Sequence, residues 1–101
     1  MMTVITEIEI EPGQEPEWDR AFHARFQEAP RQPGWVSVQL LIPVDAPNKR
    51  VVVGTWQTRA DWEAWHTTEV FQRTREAMNR LQQTGGQERW YEVVHHAGRE
   101  S

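Results

Sequence analysis

The spacing of apolar residues switches repeatedly along this chain between the period of a strand and that of a helix. Residues 3–11 alternate, with Val4, Thr6, Ile8 and Ile10 on one face and Glu7, Glu9 and Glu11 on the other. That period of two predicts a half-buried strand, and three like charges in a row suit a solvated sheet edge. Pro12-Gly13 ends it. Over residues 14–29, Trp18, Ala21, Phe22, Phe26 and Ala29 fall at helical spacing. Glu15 and Glu17 suit the positive end of that helix, and Pro16 suits its first turn. After a break at Pro33-Gly34, residues 35–42 alternate again, Val36, Val38, Leu40 and Ile42 against Ser37, Gln39 and Leu41. Residues 50–57 carry Val51-Val52-Val53, a run typical of a strand covered on both faces. Prolines, Asp45 and Asn48 between these segments make them an antiparallel hairpin.

Thr58 followed by Asp61 is a helix-capping pattern that places Trp62 and Trp65 on one side of a short helix. Thr67 or Thr68 caps a second segment. Its inner stripe is Val70, Phe71, Thr74, Met78 and Leu81, and its wet side is Arg73, Glu76 and Arg80. Gly85-Gly86 closes that helix, residues 89–96 alternate once more, and residues 97–101 read as a tail. The order is β-α-β-β-α-β with the last helix broken in two. This α+β pattern is the ferredoxin-like split βαββαβ, a four-stranded antiparallel sheet in a single domain over residues 1–101, its core about 3–96. Helices cover one face of such a sheet, so the other is solvated or covered by a partner. Strand residues apolar on both sides favour a second copy, hence a homodimer.

Composition narrows the chemistry. Leu, Ile, Val and Phe together make 20 of 101 residues, near the limit associated with disorder, and six tryptophans restore a globular composition. A net charge of −4 without a basic stripe argues against nucleic acid. The absence of cysteine excludes disulfides, thiolate metal sites and cysteine nucleophiles. No apolar run approaches the roughly 20 residues of a membrane span, and the N-terminus lacks signal-peptide features; no membrane association and a cytoplasmic location are the expectation. His95 and His96 are adjacent on the last strand and face opposite ways, so no metal site is expected there. No glycine-rich phosphate loop occurs, because Gly85-Gly86 closes a helix and lacks the Lys-Ser/Thr that would follow.

At this point the sequence resembles the antibiotic biosynthesis monooxygenase domain family. The resemblance rests on residues 33–41 (PGWVSVQLL), 51–56 (VVVGTW), 61–66 (DWEAWH) and Val70-Phe71. It implies a dimeric α+β barrel, in which two four-stranded sheets pack face to face. The family includes cofactor-independent quinone-forming oxygenases, haem-degrading enzymes and isomerases. Haem-degrading members use an Asn on the first strand, a Trp in the short helix and a His two to three turns later. Only the Trp, at Trp65, is matched; the Asn position falls on Thr6 and the His position on Thr74 or Arg75. The resemblance therefore points to oxidation of a small aromatic or polyketide-like molecule by dioxygen, with no cofactor. An apolar pocket for that substrate would be walled by Phe22, Phe26, Trp65, Phe71 and Met78, opposite Thr6 and Ile8. Arg75 would balance a phenolate charge, and His66 or His23 would move a proton.

Each of these residues also has a plainer explanation. Trp65 can simply plug the core, as can Trp56 and Trp62. Thr6 can satisfy its hydroxyl locally. Arg75, between Arg73 and Glu76, can belong to a solvated helix face. His66 suits a helix C-terminus as well as acid–base work, and His23 points partly outward. A non-catalytic module that binds a small molecule in the same pocket, an isomerase using His66, and a haem-binding member remain as alternatives.

Overall fold

A computed structural model describes residues 1–83 and 86–98 of the chain. The first alternating segment forms β1 (Met2–Glu9), with Val4 buried and Ile10 just beyond it bridged to Gln82. Helix α1 (Glu15–Glu28) follows, with Pro16 in its first turn and Trp18 and Phe22 buried. A 3-10 turn (Ala29–Arg31) leads to β2 (Trp35–Leu41) and the antiparallel β3 (Lys49–Trp56). Helix α2 (Arg59–His66) is capped by Thr58, whose hydroxyl accepts from the Asp61 N–H. Thr68 rather than Thr67 caps α3 (Glu69–Asn79), accepting from the Phe71 N–H. The last strand is β4 (Gln87–Glu92).

The strands form one antiparallel sheet in the order β2-β3-β1-β4, the topology of the split βαββαβ fold. The helices lie on one face. There, Trp18, Phe22, Met78 and Ile10 form one buried cluster, and Trp56, Trp65, Phe71 and Ala29 another. Phe26 packs against both and joins them. The Trp18 indole N–H is satisfied by Gln82 Oε1 at 3.0 Å, so burying this ring leaves no orphaned donor.

Several expectations need correction. β1 lies between β3 and β4, so Glu7 and Glu9 stand in the middle of the sheet's open face and mark no edge. Glu9 there faces Lys49 in register, which offsets its charge. Regular alternation in β2 fails at a bulge between Trp35 and Ser37, which leaves Val36 out of register and sets Val38 and Leu40 toward the helices. Ile42 falls beyond the strand and is 52% exposed, because the last pair is Leu41–Val51 and Pro43 follows. β4 stops at Glu92 because its partner β1 starts opposite it, at Met2; only Val93 N–H to Met1 O, 3.0 Å, continues the ladder. His95 and His96 therefore lie outside the strand. Of the expected helix-closing pair, Gly85 lies outside the described residues, as do residues 99–101 of the expected tail.

Candidate functional site

Inward-facing residues of β1, β3 and β4 and the inner sides of the three helices line a cavity of about 140 Å³ that is open on one side. Its walls are rings. Phe22 stacks on Trp18 and Phe26, with centroids 5.4 and 4.4 Å apart. Trp65, 2% exposed, packs against Phe26, Trp56 and Phe71 at 6.3, 6.4 and 5.7 Å. Met78 closes the α3 side, and the sheet supplies Val4, Thr6 and Ile8 from β1. Gly54 on β3, beside Val4, keeps the floor low. All five apolar wall residues expected from the sequence thus line one space, and Thr6 lines it with them.

His66 lines the same cavity as Trp65 although the two are consecutive on α2. Its ring is held against Trp62 and Phe71, with centroids 3.8 and 4.0 Å away. Nδ1 lies 2.7 Å from the carbonyl oxygen of Trp62. A carbonyl oxygen only accepts, so Nδ1 carries the proton and Nε2 of the neutral ring is an acceptor. Among the described residues Nε2 has no hydrogen-bond partner. Burial pushes the His66 pKa below its ordinary value near 6.5. The Trp62 hydrogen bond and the Glu88 charge act upward, and the charges of Arg25 and Arg75 act downward. The ring is neutral at neutral pH, the state a proton acceptor needs.

The cation in this lining is Arg25, not Arg75. Arg75 is exposed on α3 and outside the lining, one step round the helix from the Thr74–Met78 stripe. It acts on the site only at a distance, through its charge on Arg25 and His66. The Arg25 guanidinium stands 4.1 Å from the Phe71 ring centroid and donates from Nε to Thr74 Oγ1 at 2.8 Å. Burial, and secondarily Arg75, lower its pKa from the ordinary arginine value to about 10, so it remains charged at neutral pH. Spacing along α1 holds the signal for it. Trp18, Phe22 and Arg25 are i, i+4 and i+7, which puts a cation on an apolar stripe. Glu88, in register with Thr6 on β4, is the exposed member of the lining and marks its mouth.

The positions where the family resemblance leads a haem-binding Asn and His to be expected are placed as well: Thr6 and, on α3, Thr74 and Arg75. Thr74 Oγ1 accepts from Arg25 and lies 3.0 and 3.1 Å from the carbonyl oxygens of Phe71 and Val70, to one of which it donates. Its hydroxyl is therefore engaged. The cavity lies well below the roughly 300–1,000 Å³ of pockets for drug-sized ligands, and a tetrapyrrole exceeds these. The space as it stands does not fit haem. Among the described residues no cluster of three or more metal-ligating side chains occurs, and no helix is long and apolar enough to cross a membrane. His23 is exposed and bonded to Gln27.

Comparison with known proteins places these features. A mycobilin-producing haem oxygenase of Mycobacterium tuberculosis is 33% identical over 61 residues, 60% of this chain. The aligned part spans 58% of that relative's length. The fold is that of SnoaB, a cofactor-independent oxygenase from Streptomyces nogalater, with a TM-score of 0.83 at 19% identity and 94% of each chain covered. A candidate antibiotic biosynthesis monooxygenase from Nitrosomonas europaea superposes with a TM-score of 0.88 at 18% identity, covering 94% of this chain and all of the other. Residues 1–77, the sheet's first three strands with α1, α2 and most of α3, match the antibiotic biosynthesis monooxygenase family, and the chain belongs to it.

Proposed function

We propose that the protein is a cofactor-independent monooxygenase that oxidises a small phenolic or polyketide-like molecule in the cavity beneath Trp65. The observation that carries this reading is the meeting of a neutral, clamped imidazole and a cation at one end of a ring-walled space. Phe22, Phe26, Phe71 and Met78 would hold the ring by burial, and Thr6 would offer a hydroxyl to a polar substituent. His66 Nε2 takes the phenol proton, and Arg25 balances the oxygen anion. Arg75, exposed on α3 outside the lining, adds only to the field. Trp65 sits against the substrate and fixes its plane. The deprotonated ring is electron-rich enough to reduce dioxygen directly. One oxygen atom of dioxygen ends as a carbonyl on a ring carbon. The other leaves as water with that carbon's hydrogen and the phenol hydrogen, and the substrate supplies all four electrons.

The uncovered sheet face supports a homodimer as the working form. Oxygen consumption with a panel of phenols, hydroquinones and anthrones tests the catalytic reading. Uptake above the protein-free rate, reduced in His66→Gln, is expected; no uptake across the panel overturns it. Threonines at the positions where the family resemblance leads an Asn and a His to be expected, Thr6 and Thr74, favour one second reading, a module that binds such a molecule without turnover. A ligand that raises the thermal midpoint and is recovered unchanged under air would select that reading.

A further inference from the structure

Two inward arginines among the described residues are treated very differently. Arg50 gives its donors to both carboxylate oxygens of Asp19 and to the carbonyls of Pro47 and Lys49. Arg25 donates only from Nε, to the neutral hydroxyl of Thr74, among the described residues. Among the described residues no carboxylate forms an ion pair with it within 4.0 Å, and the charge that acts on it is the like charge of Arg75. A partly buried cation with free donors and no counter-ion is costly to maintain in a folded protein, and an anion supplied from outside relieves that cost.

Resting on the proposed function, we infer that the cavity takes a single-ring phenol, bound as its phenolate with the oxygen on the Arg25 guanidinium. Space sets the ring count. The cavity measures about 140 Å³, and an engineered apolar cavity of about 150 Å³ holds one benzene. The second ring of a fused arene stays outside it, at the mouth by Glu88, unless the Phe22–Phe26 stack or Trp65 moves; Phe22 and Trp65 are buried, and Phe26 packs against both clusters. The walls suit a flat ring. Charge sets the substituent. An oxygen on the guanidinium lies in the lining that also holds His66, whose Nε2 is open for the proton the phenol releases. An arene carboxylate would satisfy Arg25 but would have no proton to give His66 at neutral pH. Arg25 is thus a binding residue that fixes which end of the ring faces the base, and Thr74 is the positioning residue that holds its Nε.

para-Nitrophenol tests this directly, because its phenolate is yellow and its phenol colourless. At a pH below its own pKa, adding the protein should raise the phenolate band to saturation while quenching tryptophan fluorescence. The corresponding nitronaphthol should not quench saturably. Arg25→Met should weaken binding about ten- to a hundredfold, the worth of a charged hydrogen bond, with Arg25→Lys recovering part of it. Equal binding of the one-ring and two-ring probes, an unchanged affinity in Arg25→Met, or no binding of para-nitrophenol each overturns the inference. The comparison of ring sizes uses the unaltered protein, so it stands even if an Arg25 variant fails to fold. Binding without oxygen uptake leaves this inference intact and removes the catalytic reading. Uptake with anthrones but no one-ring binding does the reverse.

Discussion

Arg50 and Asp19 meet through two hydrogen bonds, Nε to Oδ1 at 2.9 Å and Nη2 to Oδ2 at 3.0 Å, and so tie the start of β3 to the first turns of α1. The Arg50 side chain is 4% exposed and that of Asp19 is 40% exposed. Nη1 adds bonds of 2.8 Å to the carbonyls of Pro47 and Lys49, so the arginine also closes the connection between β2 and β3. Removing the carboxylate leaves a buried charge unpaired, which costs about 3–5 kcal/mol where water is excluded. Water can reach the Asp19 side, so Asp19→Ala should destabilise by less, about 2 kcal/mol. A urea midpoint within experimental error of the parent's would show that the pair contributes nothing.

Much of this architecture was legible because each element carries its own period and its own caps. Thr58 and Thr68 start helices where the sequence places them, and the Trp65, Phe71 and Met78 rows meet as their spacing requires. What was not legible depends on pairing across the sheet. The bulge at Trp35/Ser37 and the stop at Glu92 follow from where β3 and β1 end, which no property of the local residues encodes. Within the site, periodicity carries the apolar walls and, on α1, the place of Arg25 as well, but it does not exclude Arg75. Arg75 carries the same charge as Arg25 and shares a helix with Phe71, yet only Arg25 sits within an apolar stripe facing the cavity. An arginine's reach hides its destination. His66 reaches the cavity beside its neighbour Trp65 because the Trp62 carbonyl, one turn back, draws its ring along the helix.

Gly34 has φ +81°, and a Cβ there would fall on the Asp61 carboxylate. That carboxylate is held in place by the Thr58 hydroxyl at 2.8 Å, as part of the α2 cap, so it cannot swing away freely. Gly13 has φ +90° but open space around it. Gly13→Ala should therefore cost only the backbone term, about 1–2 kcal/mol, whereas Gly34→Ala adds a clash and a disturbed cap and should cost about 3 kcal/mol. Chemical denaturation of the two variants side by side checks the ranking; equal losses would remove the role given to Asp61.

His66 should make the fold acid-sensitive. Its folded pKa lies below its ordinary value near 6.5, chiefly through burial. On acidification the unfolded chain therefore takes up this proton first. Stability is unaffected by His66 above that ordinary value and falls as pH drops from there to the lower folded pKa. His66→Gln keeps a donor for the Trp62 carbonyl and has no proton to gain. Urea unfolding from about pH 8 to about pH 5 should show a steeper acid-side loss for the parent than for the variant. Parallel curves would mean that the imidazole is not desolvated.

The haem-oxygenase relative makes a sharp contrast available. With Thr74 bonded to Arg25 and the cavity near 140 Å³, hemin should not produce a saturable, stoichiometric Soret shift. A shift that saturates at one equivalent would show that the walls open enough for a tetrapyrrole. His66→Gln would then reveal whether His66 Nε2 is the iron ligand.

The face of the sheet turned away from the helices carries Ile5 opposite Val53, and Leu41 opposite Val51, with Gln39 and Arg89 flanking the first pair. Val52 and Val4, one residue along each strand, face the cavity instead, which fixes the direction of these side chains. These branched side chains, beside Glu7 and Glu9 and with Leu41 left 45% exposed at the end of edge strand β2, are what a second sheet packed face to face would cover. Val53→Glu places a charge at its centre, between Ile5 and Gln39, without touching the helix side. Sedimentation at micromolar concentration should give a dimer for the parent and an 11.9 kDa monomer, with unchanged far-ultraviolet dichroism, for the variant. A parent chain that sediments as the monomer would overturn the homodimer. The valine–isoleucine row would then be solvated, as in any one-sided antiparallel sheet.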